Sequence, residues 1–134
     1  MFLDDIAAKL VADNVGVLGT SIFLSSAALI PNGPGPYMTI SETGGVAPTR
    51  KQNQSQAATQ RPTAQVLVRA TNYVAARSMC RAAYTSLDGI FNTTLSGTFY
   101  LSITARQEPT DMGSESGTGR VQIVFNIEAE KQFS

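Results

Sequence analysis

Two stretches late in the chain alternate apolar and polar residues one by one, and they limit the fold more than anything else in the sequence. Over residues 98–106, Phe99, Leu101, Ile103 and Ala105 share one face, and Tyr100, Ser102, Thr104 and Arg106 share the other. Over residues 120–129 the pattern repeats through Val121, Ile123, Phe125 and Ile127. A period of two is strand geometry. The polar segment 107–119 joins the two, so they are expected to pair antiparallel across a long loop. Their shared apolar face needs a cover.

The cover is a helix over Tyr73–Leu87. Ala76, Met79, Cys80, Ala83, Leu87 and Ile90 make an apolar stripe, with Arg77, Arg81, Thr85 and Asp88 at polar positions around it. Thr71 or Asn72 supplies the N-cap, and Gly89 suits a left-handed C′ position. Thr63–Ala70, with Val66, Val68 and Ala70 on one face, predicts a third strand. Residues 20–25 and 37–41 predict two more. Residues 5–14 predict a first helix, opened by Asp4 or Asp5 as acids that favour its dipole. The Pro- and Gly-rich run 31–36 is loop, and residues 92–97 read as a connection. Residues 49–61 carry no large apolar side chain, so they cannot bury enough surface to offset their ordering entropy. The expected fold is α+β: a mainly antiparallel or mixed sheet of four to five strands, with two helices packed on one face. The 134 residues suit a single domain, with mobile arms at about 42–62 and 107–119.

Composition narrows the function more than the fold. There is no histidine, which removes Ser-His-Asp catalysis and most zinc and iron sites. Cys80 is the only cysteine, so no internal disulfide and no thiolate cluster forms. Its place within the apolar stripe predicts a buried, inert thiol. Asp111 and Glu115 share one loop without the ligand density of a calcium site. Gly33-Pro34-Gly35 and Gly44-Gly45 lack the lysine of a P-loop. No catalytic residue, metal site or cofactor is therefore expected. Asp4 and Asp5 stand where a signal peptide needs basic residues. The apolar run 15–30 is short for a span, carries several Ser and Thr, and ends at Pro31. No membrane association is expected.

Charged residues are only 15% of the chain, against the usual ~25%, which favours a surface that meets partners. The net charge is zero but unevenly spread. Residues 42–106 hold seven basic residues against Glu42 and Asp88, a net of +5, and the flanks carry −5. Folding either mixes these charges over the surface or sets a basic face on one copy against an acidic face on the next. Contacts of the second kind close into rings. A single-stranded nucleic-acid binder would need exposed aromatics on a basic sheet face, and Tyr100 beside Arg106 is the only hint. A small hydrolase is disfavoured by the missing histidine and the absence of clustered acids.

Several segments, in this order, resemble the minor capsid and tail terminator proteins of long-tailed (siphovirus-type) bacteriophages. They are Asp5-Ile6-Ala7-Ala8-Lys9-Leu10 with Val15-Gly16-Val17-Leu18-Gly19-Thr20-Ser21-Ile22-Phe23, then Ile40-Ser41-Glu42-Thr43-Gly44-Gly45-Val46-Ala47-Pro48. Arg61-Pro62-Thr63-Ala64-Gln65-Val66-Leu67-Val68-Arg69 follows, leading through Asn72-Tyr73 into the Ala-rich helix. Tyr100-Leu101-Ser102-Ile103-Thr104-Ala105-Arg106-Gln107-Glu108-Pro109 and the last strand complete the set. Order and spacing carry the similarity over nearly the whole chain. The Gln-rich stretch 52–60 is longer and more polar than the family's pattern.

The resemblance implies a structural virion protein at the head-proximal end of the tail (the neck), assembled in the host cytoplasm. It implies a homo-oligomer, a hexameric ring, that caps the completed tail tube, stops its polymerisation and provides the head-attachment surface. The implied partners are the tail tube protein and a head-completion or connector protein. The alternatives within the same class are a head–tail connector (neck ring) subunit and a tail tube subunit. The charge blocks nominate Arg50, Lys51 and Arg61 as one half of a subunit interface and Glu108, Asp111 and Glu115 as the other. Basic side chains facing a lumen would also make non-specific contact with passing DNA.

Overall fold

Both alternating stretches are strands, and the second is the axis of the molecule. The structure is a computed structural model that describes residues 2–24, 35–43, 46–50, 57–114 and 121–132. The elements run α1 (Phe2–Ala12), β1 (Ile22–Leu24), β2 (Tyr37–Glu42), β3 (Val46–Arg50), β4 (Ala57–Arg61), β5 (Thr63–Ala70), α2 (Tyr73–Leu87), β6 (Ile90–Leu95), β7 (Thr98–Ala105), β8 (Thr110–Ser114) and β9 (Val121–Gln132).

β9 is paired along both edges. On one edge a single register runs from Thr59 opposite Gln132, through Thr63 opposite Glu128, to Ala70 opposite Val121. β4 and β5 are thus one ladder interrupted at Pro62. Proline brings no N–H to a ladder, but the Pro62 carbonyl still accepts from the Ala129 amide at 3.0 Å. On the other edge β7 and β8 follow one another, pairing with residues 127–131 and 121–124 of β9. β2 adds to β5, β6 to β7 and β3 to β4, all antiparallel. β1 lies parallel to β2, which makes the sheet mixed.

The fold is α+β as expected, with two helices, but the sheet has nine strands among the described residues rather than four or five. The additional strands are β3, β4, β6 and β8. They lie in the segments expected as arms or as the 92–97 connection, where alternation is weak and ladder pairing supplies the order. Most of the Gln-rich stretch and most of the 31–36 loop lie outside the described residues.

The core fills the space between this sheet and the helices. Ala64, Val66, Val68 and Ala70 of β5 and Ile123, Phe125, Ile127 and Ala129 of β9 are buried. They meet Ala76, Met79, Cys80, Ala83 and Leu87 of α2. Each large apolar side chain so buried contributes about 1.5–3 kcal/mol. Tyr84 packs edge-on against Phe125, with ring centroids 5.7 Å apart. α1 adds Phe2, Ile6, Ala7 and Leu10.

The ends of α2 follow the sequence. The Asn72 side chain accepts from the Val74 and Ala75 amides at 2.8 and 3.3 Å, and Gly89 takes φ +81° just past the C-cap. α1 begins by Phe2, earlier than expected, with Asp4 and Asp5 in its first turn. Asp5 is also 2% exposed and accepts a 2.5 Å hydrogen bond from the Tyr100 hydroxyl. Its place thus combines a favourable position at the helix start with a tertiary partner. No helix among the described residues is long and apolar enough to cross a membrane.

Candidate functional site

Of the residues nominated for a subunit interface, the described ones fall toward the two ends of one strand. Arg61 closes β4, exposed, opposite Val46. Arg50 closes β3, opposite Ala57. Lys51 and Glu115 lie outside the described residues. Glu108 is exposed in the link before β8, where its carbonyl accepts from the Thr110 hydroxyl at 3.1 Å. Asp111 is exposed on β8, and its carboxylate accepts from the Gly113 amide at 2.7 Å. That bond spans a bulge in β8, where the register to β9 shifts between Asp111 and Gly113 and Gly113 takes φ +85°.

β9 keeps the two groups apart. Gln60 of β4 pairs with Lys131, and Asp111 pairs with Ile123. Eight residues of strand separate those positions, about 27 Å at ~3.4 Å per residue. The basic and acidic segments therefore lie far apart along β9 within one subunit. Neither end is purely of one sign. Glu42, Glu128 and Glu130 lie toward the β4 end, and Arg106 precedes β8.

A second surface was not nominated from the sequence. On the solvent side of α2, Tyr73, Val74, Arg77, Ser78 and Arg81 line a shallow cavity of about 330 Å³. Val74 is 72% exposed and Tyr73 43%. Arg77 donates to the Tyr73 hydroxyl at 3.4 Å, and the Arg81 guanidinium lies 5.5 Å from the centre of the Tyr84 ring. A groove of about 720 Å³ continues from Arg81 to Ser86, walled by the C-terminal end of α1. There Asp13 bridges the helices, bound to Lys9 at 2.8 Å and to the Ser86 hydroxyl at 2.5 Å. Those two bonds hold its carboxyl below the usual range. The sequence did carry a sign of this surface: Tyr73 and Val74 are apolar residues off the core stripe.

The reactive groups Cys80 and Tyr100 are buried. Burial pushes the Cys80 thiol up to about 12, against the weaker pull of Arg77 and Arg81. Burial, and then the Asp5 carboxylate, push the Tyr100 phenol well above its ordinary value. A thiol that stays protonated is a poor nucleophile. Among the described residues, no group of three His, Cys, Asp or Glu could hold a metal ion.

A family model described as bacteriophage tail terminator protein matches residues 9–133. Two solved structures share the fold. One aligns over 98% of this chain and 96% of its own, with a TM-score of 0.61 and 13% identity. The other, from the virion of a native gene transfer agent particle, aligns over 96% of this chain and 84% of its own, with a TM-score of 0.54 and 14% identity. A search of curated proteins finds no match.

Proposed function

Because the chain belongs to the bacteriophage tail terminator protein family, we propose that it caps the completed tail tube as a hexameric ring. It is a structural protein of the phage tail, a component of the virion that assembles with other phage structural proteins. In this proposal the ring stops tube polymerisation and presents the surface to which the head attaches, at the head-proximal end of the tail. Its partners are the tail tube protein on one side and a head-completion or connector protein on the other. The role is structural rather than catalytic.

The observation that carries the proposal is the family match over residues 9–133. The geometry agrees with it. A ring needs two different patches on each subunit, placed so that one copy's first patch meets the next copy's second. Arg50 and Arg61 lie toward one end of β9, Glu108 and Asp111 toward the other. Lys51 joins the first group and Glu115 the second by sequence. Stopping a polymer then requires only that the ring bind the tube end and offer no equivalent site on its far face. Basic side chains facing the lumen would touch passing DNA through phosphates alone.

Tail length measures this directly. Particles assembled without the protein should show overlong, headless tubes by negative-stain electron microscopy. Tails of normal length that fail to join heads would move the protein to the connector. Absence of any tube would make it the tube subunit. Ring assembly that survives charge reversal at Arg50 and Lys51 would remove the basic arm from the interface while leaving termination intact.

A further inference from the structure

We propose that the solvent face of α2 is a docking site for strand β8 of a neighbouring copy, with Met112 over Tyr73 and Val74 and Asp111 between Arg77 and Arg81. This rests on the ring reading and gives Asp111 to Arg77 and Arg81 in place of Arg50 and Arg61.

Arg77 and Arg81 are one helical turn apart, about 6 Å, and so present two guanidinium groups side by side. Among the described residues, neither has a carboxylate within ion-pair distance; the recorded partners are the Tyr73 hydroxyl and the Tyr84 ring. Beside them, Val74 at 72% and Tyr73 at 43% exposure form an apolar shoulder in front of a shallow cavity. An apolar floor with a cationic rim selects an apolar tip with an anionic rim.

β8 has that form. Met112 is 60% exposed, Asp111 is its neighbour, and Glu108 lies four residues before it. The side chain of Met112 is long and unbranched, suited to an irregular cavity. Asp111 already spends one oxygen on the Gly113 amide, which fixes the carboxylate and leaves its other oxygen for a guanidinium. Phosphate would answer the two arginines but would leave Val74, Tyr73 and Met112 uncovered. A neighbouring copy covers all three. The contact joins two different patches, so it is of the kind that closes a ring.

The test is a disulfide between copies in the full chain. Val74→Cys and Met112→Cys are combined in one protein, assembled onto tail tubes and oxidised. Cys80 stays out of the reaction because it is buried and its thiol remains protonated. The expected result is a ladder of covalent oligomers on a non-reducing gel, ending at the ring's full copy number. Either single variant should give no ladder beyond a dimer. Rings visible by electron microscopy without a ladder would overturn the docking site and leave the ring intact. A single-chain band of altered mobility would also overturn it, since the link would then lie within one subunit. Tails bearing no ring at all would remove the ring reading, and this contact with it. Arg77→Glu with Arg81→Glu should abolish ring assembly, and adding Asp111→Arg should restore it at least partly. Salt-sensitive binding to double-stranded DNA that the same pair of substitutions abolishes, with rings unaffected, would assign the arginines to phosphate instead.

Discussion

At the scale of single residues, two buried groups set the strongest constraints. The Asp5 carboxylate accepts from Tyr100 inside the core, 95 residues away in sequence. Tyr100→Phe leaves that acceptor without its donor and should lower stability by about 1–3 kcal/mol in urea unfolding. Pairing it with Asp5→Leu removes the stranded group as well, so the double variant should lose less than the two single losses added together. Strict additivity would mean that the two side chains are not coupled. Cys80 gives a pH signature. Its thiol titrates near 9.0 when free and about 12 in the fold, so above pH 9 the unfolded chain releases a proton that the native state keeps. Stability from this group is complete below pH 9 and is lost as pH rises toward 12. The slope is about 1.4 kcal/mol per pH unit. Cys80→Ala should flatten the curve between pH 9 and 10; from pH 10, where a free phenol begins to titrate, the raised Tyr100 adds a fall of the same sign in both proteins, so there the two curves should differ by the Cys80 slope alone.

At the scale of elements, legibility followed burial. β5, β9 and α2 bury one face, so their apolar periods were plain in the sequence. β7 departs from its alternation: a register shift between Tyr100 and Ser102 puts Tyr100, expected on the polar face, into the core and leaves Phe99 and Leu101 half-buried. β6 could not be read in this way. Phe91 is 60% exposed, and Asn92 takes φ +49° within the strand, so no alternation marks Ile90–Leu95. Its order comes from the ladder to β7, a pairing that no local pattern announces. The same holds for β8, whose sequence Thr-Asp-Met-Gly-Ser reads as turn until β9 lies beside it. The acidic half of the candidate interface was legible as charge. The α2 surface was legible only in part: Tyr73 and Val74 are apolar residues off the core stripe, but their exposure is set by the packing of the opposite side of the helix. The helix ends can be tested separately. Asn72→Ala removes the acceptor for two amides and should lower stability by about 1 kcal/mol. Gly35→Ala should lower it further, since φ is +80° and the added carbon would stand 2.8 Å from the Arg69 carbonyl oxygen. A Gly35→Ala protein as stable as the original would show that the backbone there relaxes freely.

At the scale of the whole molecule, the sheet is ordered around β9, and protection from amide exchange should follow that order. Amides of β9 and β5 should open only with global unfolding, because both strands are paired on both edges and most of their inward side chains are buried. Amides of β1, with a single recorded partner strand, should exchange faster by local opening. Hydrogen exchange read by mass spectrometry would decide it, and β9 amides exchanging as fast as those of β1 would contradict the arrangement. The position of β9 in the chain also bears on timing. A ribosome releases it after every other described strand, and until then β4, β5, β7 and β8 lack the neighbour along which they line up. An incompletely translated chain therefore has the segments that would touch a tail but not the frame that spaces them. Under the proposed capping role, a copy that lacks β9 would be silent, and only finished copies would end the growth of the tube.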